Sequence, residues 1–461
     1  MKRLLAVLFP ALACVALLRA AAQPAAAPVK VDGFTYVRTL GAISEYTLDA
    51  NGLSVLLLPA HAAPELTFMV TYRVGSRNEV TGTTGATHLL EHLMFKGTAK
   101  FNRTTGNGFD QVLAPLGAIN NATTWLDRTN YYVNAASDQL PVVVELLADT
   151  MRNLLLLESD RQPEMTVVRN EFERGENDPI QALDVEIGAA AYIAHPYHHS
   201  TIGWRSDIEK VSIAKLREFY DTFYWPDNAT LSVIGDFQPA AALALIAKFY
   251  GPIPRAPKPI PQVYTEEPAQ SFPRRVGVKR AGELGVVGLA YKICPATSPD
   301  FPALSVLGDI LADGKNSRLY RALTDRSLTT SVSANTGFNR DNSLLTFYAS
   351  LAPGAKHDEV ERMLLEEITR LRKDGVTAVE VRTAVAKSLA ATAFRRDGSF
   401  AIASSLNECI AATDWTLYYS LDEALKKVTP ADVLRVAEKY LDYDQSTTGW
   451  FVPLAASPAA K

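Results

Sequence analysis

Apolar and polar positions follow the same order twice along this chain. In the first half, the apolar run Leu66 to Val74 predicts a buried strand, and a helical pattern that contains His88 follows it. In the second half, Val286 to Cys294 predicts a strand, and Ala303 to Leu311 predicts the helix after it. The two halves therefore look like diverged copies of one structural unit.

The ends of the two halves also correspond. Ser212 is suited to cap a helix, which is followed by the predicted strand Ala229 to Gly235. Thr429 is likewise suited to cap a second helix, and the proline that follows it fits the first helical turn. The strand Thr447 to Val452 comes after that helix. The same order of helix and strand thus closes each half.

A proline-rich stretch, residues 252–273, separates the halves and is typical of an extended, semi-rigid linker. Because 461 residues are too many for one ordinary core, we predict two domains, at 23–251 and 274–461. The segments Ala118 to Thr124 and Thr129 to Ala135 predict a hairpin. The predicted class is α+β: two homologous half-units, each a mainly antiparallel sheet packed with helices and joined by the linker.

The first residues are typical of a secretory signal peptide. Two basic residues precede the apolar run Leu4 to Leu18, and small residues follow it, so we predict a signal peptide at residues 1–22 with cleavage before Gln23. The run is short for a membrane span, and no other segment is apolar enough to cross a bilayer. We therefore expect an exported protein without a membrane span in its mature form, in a bacterial periplasm.

Composition narrows the function further. The chain has 46 Lys and Arg against 50 Asp and Glu, so it gives no sign of the basic surface that nucleic-acid binding needs. Beyond the predicted signal peptide, only Cys294 and Cys409 remain as cysteines. They could form one disulfide in an oxidising compartment or remain two buried thiols, and the sequence leaves both possibilities open.

The segment His88-Leu89-Leu90-Glu91-His92 carries the strongest chemical signal. In a helix, positions i, i+3 and i+4 project from one face, so two imidazoles and one carboxylate lie together. His88 and His92 could hold one metal ion, and Glu91 could reach a water molecule bound to it. This H-x-x-E-H order is the inverzincin signature. A solvated face with two histidines is the alternative, but the apolar neighbours predict a buried helix, where unpartnered imidazoles are costly.

A catalytic zinc site usually has a third protein ligand. The helical stretch that begins at Pro163 offers four carboxylates. Glu164 and Glu171 are two helical turns apart and share one face, whereas Glu173 and Glu176 lie on other faces and are expected to be solvated. Periodicity alone does not decide which carboxylate is the ligand.

The motif and its surroundings, from Gly85 to Thr98, resemble the zinc site of the pitrilysin/insulinase family of metallopeptidases, in the branch that resembles mitochondrial processing peptidase. The resemblance covers nearly all of the mature chain. It implies that Glu171 is the third zinc ligand and that Glu164 orients a histidine. It also implies that Asn121 lies on an edge strand that binds the substrate backbone.

The resemblance implies one Zn²⁺ per chain and a zinc-dependent endopeptidase or oligopeptidase that hydrolyses unfolded peptides. Glu91 would activate the water bound to zinc and return its proton to the leaving amine. When Gly97 is matched with Gly314, the second half has Ser305, Gly308 and Asp309 at the corresponding positions. We therefore expect a zinc-bearing peptidase domain followed by a homologous domain without a metal site.

The chain departs from the family in one respect. Active members use an Arg and a Tyr in the second half, and Thr324 and Thr330 stand at these positions here. We therefore expect a heterodimer in which a homologous partner chain supplies the Arg/Tyr pair and completes a closed chamber; a homodimer is the second choice. The alternative function is a non-catalytic scaffold or peptide-binding subunit of a larger complex.

Overall fold

Each half of the chain builds one sheet. The computed structural model describes residues 28–454, so the predicted signal peptide lies outside the described residues. The strands of the first sheet are β1 (Phe34–Leu40), β2 (Ile43–Leu48), β3 (Ser54–Pro59), β4 (Glu65–Tyr72), β5 (Ile119–Thr124), β6 (Thr129–Ala136) and β7 (Ala229–Gly235). Those of the second sheet are β8 (Arg274–Ala281), β9 (Val286–Ile293), β10 (Thr329–Thr336), β11 (Ser343–Leu351) and β12 (Ser446–Leu454).

Helices occupy most of the remaining chain. The first half contains α1 (Ala86–Met94), α2 (Phe109–Leu113), α3 (Leu140–Arg152), α4 (Glu158–Asn177), α5 (Pro179–Ala191), α6 (Arg205–Lys210), α7 (Ile213–Phe223) and α8 (Pro239–Tyr250). The second half contains α9 (Phe301–Ala312), α10 (His357–Asp374), α11 (Ala378–Phe394), α12 (Ser399–Ala411), α13 (Leu417–Leu425) and α14 (Pro430–Tyr440). None of the described helices is long and apolar enough to span a bilayer.

The two sheets share one topology. The first has the strand order β1-β2-β3-β7-β4-β6-β5, and the second has β10-β11-β9-β12-β8. Read from β3 and from β8, five strands correspond one to one. In each sheet one pair is parallel, β3 with β7 and β8 with β12, and the other pairs are antiparallel. The predicted α+β class and the repeat of two related half-units are confirmed; the first sheet adds β1 and β2 at its edge.

The caps predicted from sequence are present. Ser212 accepts a hydrogen bond from the Lys215 backbone N–H at the start of α7, and Thr429 accepts one from Asp432 at the start of α14. The helix predicted from Ala303 begins earlier, at Phe301. Pro302 fits inside the first turn because that turn needs no donor from its backbone nitrogen.

Each half contributes one helix that packs on the sheet of the other half; we call these two helices, α5 and α12, the exchanged helices. Helix α12 of the second half packs on the first sheet, where its Leu406 and Ile410 meet Met69 and Ile234. Helix α5 of the first half packs on the second sheet across β8, β9 and β12. Strands such as β4 are consequently buried along nearly their whole length, since their own half covers one face and the exchanged helix covers the other.

Two glycines in the second sheet leave room for α5. Gly288 and Gly449 face each other on β9 and β12. A Cβ at Gly449 would lie 2.7 Å from Leu183 Cδ1, and one at Gly288 would lie 2.5 Å from Ile187 Cδ1. Glycine at both positions therefore lets α5 approach the strands closely.

The connection between the halves, residues 251–273, has neither helix nor strand. Its Glu267 accepts backbone N–H bonds from Ile193 and Ala194 and so ties the connection to the first half. The proposed domain boundaries remain predictions. Cys294 and Cys409 are both buried and lie in separate apolar clusters without a bond between them, which agrees with the two-thiol alternative.

Replacing Ile187 with Ala should destabilise the whole chain because this side chain, fully buried between the halves, packs against the other half's sheet. We expect the free energy of unfolding to fall by about 2–5 kcal/mol in a denaturant titration. Ile180→Ala is the matched control, since Ile180 is on the same helix but exposed, and it should change the stability by about 0.5 kcal/mol or less. Equal effects of the two substitutions would contradict the exchanged-helix interface.

Candidate metal centre

Helix α1 is fixed at its N-terminus by a glycine and a buried carboxylate. Gly85 has φ +83°, and a Cβ there would lie 2.4 Å from the Ile202 carbonyl oxygen, so no other residue fits without strain. Glu79 accepts the backbone N–H groups of Gly85 and Thr87, each at 2.8 Å. Burial raises the pKa of Glu79 to about 8 despite these bonds. The helix end is thereby held in one position.

The apolar side of α1 packs into the first core, through Leu89, Leu90 and Leu93. The remaining side of the helix presents His88 and His92, whose ring centroids are 4.9 Å apart. This is the arrangement that the i, i+4 spacing predicts, because the leucines bury one stripe and leave the histidines on the other.

Glu171 on α4 faces both rings. Its Oε2 lies 3.6 Å from His88 Nε2 and 3.6 Å from His92 Nε2. These distances are too long for hydrogen bonds. Two ligands of one tetrahedral zinc ion lie roughly 3.4 Å apart. Among residues 28–454, this is the one group of His, Cys, Asp or Glu that offers three closely spaced ligand atoms. The spacing fits a single zinc ion.

The protonation state also fits a metal site. Burial, together with the neighbouring His92, lowers the pKa of His88 to about 4, so its imidazole is neutral at neutral pH. The neutral ring is the form that binds a metal. His88 Nδ1 is buried and has no hydrogen-bond partner among the described residues. A partly buried pair of imidazoles beside a carboxylate is costly without a cation to share.

Glu164 contacts the His92 ring at Nδ1, the nitrogen that does not face Glu171. Its Oε2 lies 3.0 Å from His92 Nδ1, and its other oxygen pairs with Lys96. Burial acts to raise the pKa of Glu164, but the bonds from Lys96 and His92 outweigh it and hold the pKa below its usual value. An ionised Glu164 keeps the proton on Nδ1 and leaves the lone pair of Nε2 facing Glu171.

Glu91 lies one turn from His88 and is buried. The hydroxyl of Thr124, at the end of β5, donates a hydrogen bond to Glu91 Oε2. Burial raises the pKa of Glu91, against the opposing effects of the Thr124 bond and the nearby His92 and Arg128. A carboxyl group in this environment is suited to take up and release a proton.

Asn121 lies on β5, the strand at the edge of the first sheet, where only β6 pairs with it. Its neighbour Ala122 is buried in the first core, on the side of the sheet where α1 packs. Because side chains alternate along a strand, Asn121 points to the opposite side, and its Oδ1 accepts a hydrogen bond from the Ala122 backbone N–H at 2.9 Å. No described strand pairs with the outer edge of β5, although the Asn121 side chain occupies one of its backbone N–H groups.

The cluster opens into a cleft of about 1090 Å³ between the two halves. The first half contributes His88, Thr124 and Glu171 to its wall, and the second half contributes Phe338 and Leu344. A cleft of this size could hold several residues of an extended peptide.

The corresponding positions of the second half have no such cluster. Gly308 is buried beneath Thr336, and Asp309 accepts a hydrogen bond from the Ser388 hydroxyl. The hydroxyls of Thr324 and Thr330 are bonded within the second half, to the Thr329 hydroxyl and the Ser350 carbonyl oxygen. Neither of these hydrogen bonds connects its threonine to the His88 cluster.

Sequence reasoning missed two supporting residues. Lys96 pairs with Glu164. The sequence signal for it was its position four residues after His92, which is the same spacing as that between the two histidines. Thr124 holds Glu91 through a contact between a strand and a helix that are distant in sequence, and no local pattern indicates it.

Known peptidase families and peptidases resemble this chain in sequence. Two family profiles match the chain: Insulinase (Peptidase family M16) over residues 55–204, and Peptidase M16 inactive domain over residues 210–388. The chain is 30% identical to zinc protease PqqE of Helicobacter pylori, over 87% of this chain and 91% of that protein. It is 25% identical to mitochondrial-processing peptidase subunit beta of Lentinula edodes, over 88% of this chain and 90% of that protein.

Solved structures show the same fold. A protease from Helicobacter pylori superposes with a TM-score of 0.84 at 30% identity, over 89% of this chain and 99% of that one. The periplasmic protease PqqL from Escherichia coli gives a TM-score of 0.72 at 18% identity, over 94% of this chain but 50% of that one. The fold and the profiles define a protein with the two-part M16 architecture. This chain belongs to the insulinase family, Peptidase family M16.

Replacing Glu171 with Gln should weaken zinc binding by at least roughly tenfold, because a neutral amide is a poorer ligand than a carboxylate. The measurement is zinc content after dialysis against a competing chelator. Glu173→Gln is the matched control, since Glu173 is exposed on the same helix, and it should keep its zinc. Equal zinc retention by the two variants would remove Glu171 from the site.

Proposed function

We propose that this chain is a zinc-dependent endopeptidase or oligopeptidase that hydrolyses unfolded peptides. The observation that carries the proposal is the arrangement at α1: three ligand atoms of His88, His92 and Glu171 lie close together, near the buried Glu91, and His88 and Glu171 line the cleft. The names of the relatives, which include several zinc proteases, support the same reaction class.

The residues would divide the work as follows. His88, His92 and Glu171 would hold zinc, which when bound polarises the peptide carbonyl and makes water easier to deprotonate. The Glu91 carboxylate would take the proton from the attacking water and pass it to the leaving amine. Thr124 would hold that carboxylate in place by its hydrogen bond. Glu164 would keep the His92 ring in the binding tautomer.

The open edge of β5 supports an extended peptide as substrate. A peptide that adds to this edge as a further strand would pair with the outer backbone groups and would replace the Asn121 side chain as partner of the Ala122 N–H, which favours unfolded chains over folded proteins. Asn121 would then contribute through its backbone position in the strand. Thr124 ends the same strand, so a peptide bound along it would reach Glu91.

We also propose that a homologous partner chain completes the site as a heterodimer, with a homodimer as the second choice. Thr324 and Thr330 stand where the resemblance calls for an Arg and a Tyr. The PqqL chain is about twice as long as the part this chain matches, which supports a pair of such units in one assembly. We also propose that residues 1–22 direct export to the periplasm. Residues 252–273 would be the linker between the two domains.

A non-catalytic scaffold or peptide-binding subunit is the second candidate. Residues 210–388, which run from the end of the first half into the second, match a profile described as an inactive domain, and Thr324 and Thr330 stand at the positions of the Arg/Tyr pair. The presence of Glu91 beside three ligand atoms favours the peptidase, because a scaffold needs none of these four side chains.

Glu91→Gln should abolish peptide hydrolysis, with kcat lower by roughly 10²–10⁴-fold, because the amide cannot accept the proton. Zinc content and peptide affinity should stay close to those of the unaltered chain, since Glu91 is not a ligand. Glu173→Gln, an exposed carboxylate-to-amide change, should keep full activity. Cleavage by the Glu91 variant as fast as by the unaltered protein would remove Glu91 from the proposed proton transfer, whereas absence of cleavage by the assembled, unaltered protein would favour the scaffold.

Addition of a homologous chain that carries the Arg/Tyr pair should raise the peptidase activity of this chain, because those side chains would stabilise the bound substrate. The measurement is cleavage of a quenched fluorescent peptide by this chain alone and after titration with the partner. Full activity of the isolated chain, with no rise on titration, would argue against the heterodimer.

A further inference from the structure

Arg128, in the turn that follows β5, is a nearly buried cation between the two halves. Its side chain is 11% exposed, and it reaches Glu408 on α12 of the second half. The Nη2 group donates to Glu408 Oε1 at 2.6 Å, and Nε donates to the same oxygen at 3.1 Å. Among the described residues, Glu408 is the one carboxylate that pairs with this guanidinium.

The other end of the guanidinium binds β5. Its Nη1 group donates to the Thr123 carbonyl oxygen at 3.0 Å and to the Thr123 hydroxyl oxygen at 2.5 Å. The next residue, Thr124, donates a hydrogen bond from its own hydroxyl to Glu91. One guanidinium therefore connects a carboxylate of the second half to the immediate neighbour of the residue that holds Glu91.

The position of Glu408 is itself fixed by the fold. The hydroxyl of Thr71 on β4 donates to Asn407 Oδ1 at 2.9 Å, and Asn407 Nδ2 donates to Glu408 Oε1 at 3.0 Å. Thr71 and Asn407 are both buried in the contact between α12 and the first sheet. The packing of an exchanged helix thus determines where the Glu408 carboxylate lies.

Glu91 and Thr124 belong to different elements, so their hydrogen bond depends on how α1 and β5 lie relative to each other. Helix α1 is held at its N-terminus by Gly85 and Glu79. Strand β5 is held next to Thr124 by the two bonds from Arg128. The ion pair with Glu408 therefore contributes to the contact that orients the Glu91 carboxylate.

Loss of the Glu408 carboxylate would break this connection. A buried guanidinium without a counter-charge is costly, so the Arg128 side chain would turn toward water and give up its bonds to Thr123. A peptide paired along β5 would move with the strand, because the pairing joins two backbones. Glu91 would not move with it, since Glu91 is on α1. Peptide binding would be kept, whereas the bond between Thr124 and Glu91 would be disturbed.

We propose that Glu408 and Arg128 are positioning residues for peptide hydrolysis: through this ion pair, the second half holds Thr124 where its hydroxyl orients Glu91. The inference rests on the proposed peptidase function and adds to it that a side chain of the second half sets the rate of the chemical step. Neither residue takes part in proton transfer or binds the metal.

The first test compares the steady-state kinetics of the assembled enzyme and its Glu408→Ala variant. We expect kcat to fall by at least roughly fivefold, because a small displacement of a reacting group costs much rate. KM should stay within about twofold and zinc content should not change, since the substrate edge and the metal ligands are kept. The Glu408 side chain is 39% exposed on a helix, so alanine should not prevent folding.

Glu45→Ala is the matched control. Glu45 on β2 is also bonded to the second half, because it accepts a hydrogen bond from Trp415 Nε1 at 2.8 Å. Five strands of the first sheet separate β2 from β5 in part or whole, as the order β1-β2-β3-β7-β4-β6-β5 shows. This variant should keep the kcat of the unaltered enzyme.

The second test asks whether Glu408 acts through Thr124. Thr124→Val removes the hydroxyl that bonds to Glu91 and keeps the shape of the side chain. If the two residues act in one chain of contacts, Glu408→Ala combined with Thr124→Val should have nearly the same kcat as Thr124→Val alone. Two independent effects would multiply instead.

The third test needs no cleavage. Hydrogen exchange of the backbone amides in residues 119–128 is followed by mass spectrometry in the zinc-loaded protein. Exchange should be at least roughly tenfold faster in Glu408→Ala and unchanged in Glu45→Ala. This measurement judges the ion pair even if the unaltered protein cleaves nothing, a result that would refute the peptidase function separately.

Three results would overturn the inference. One is an unchanged kcat in Glu408→Ala or an unchanged exchange rate in residues 119–128. Another is a higher KM with the same kcat, which would make Glu408, a residue that lines the cleft, a substrate contact. The last is multiplication of the two effects in the double variant, which would separate Glu408 from Thr124.

Discussion

The cost of partly burying two imidazoles beside a carboxylate is the constraint on which the rest of this structure depends. His88 and His92 face Glu171 across a gap that is too wide for hydrogen bonds and close to the separation of two ligands of one zinc ion. The supporting contacts follow from that need. Glu164 and Lys96 hold one ring, and the end of α1 is fixed at Gly85, so the ligand atoms are held in place by the fold itself.

The second half contributes to this site, although its described residues, 274–454, contain no group of potential metal ligands of their own. Helix α12 of the second half covers the first sheet. Phe338 and Leu344, also of the second half, form the far wall of the cleft. Arg128 and Asp127, in the turn after β5, are bonded to Glu408 and to the backbone of Arg340 in the second half. The strand that ends at Thr124, and with it the position of the Glu91 carboxylate, is therefore fixed from both halves of the chain. Two copies of one unit have become a single structure with one site.

Sequence reasoning predicted the local parts of this arrangement well. Helical spacing brings His88, Glu91 and His92 to one face whatever the tertiary structure, and the caps at Ser212 and Thr429 depend only on neighbouring residues. Glu171 was different, because α4 carries several carboxylates, and only the packing of α4 against α1 selects one. The exchange of α5 and α12 was beyond sequence reasoning, since an apolar helix face shows that something covers it without showing what.

X-ray absorption at the zinc edge on the purified, unaltered chain tests the central claim most directly. The account predicts one zinc per chain, with two imidazole nitrogens and a carboxylate oxygen at about 2.0–2.2 Å and an open position for water. Absence of zinc from the fully folded chain, or a coordination shell with fewer than two imidazoles, would contradict it.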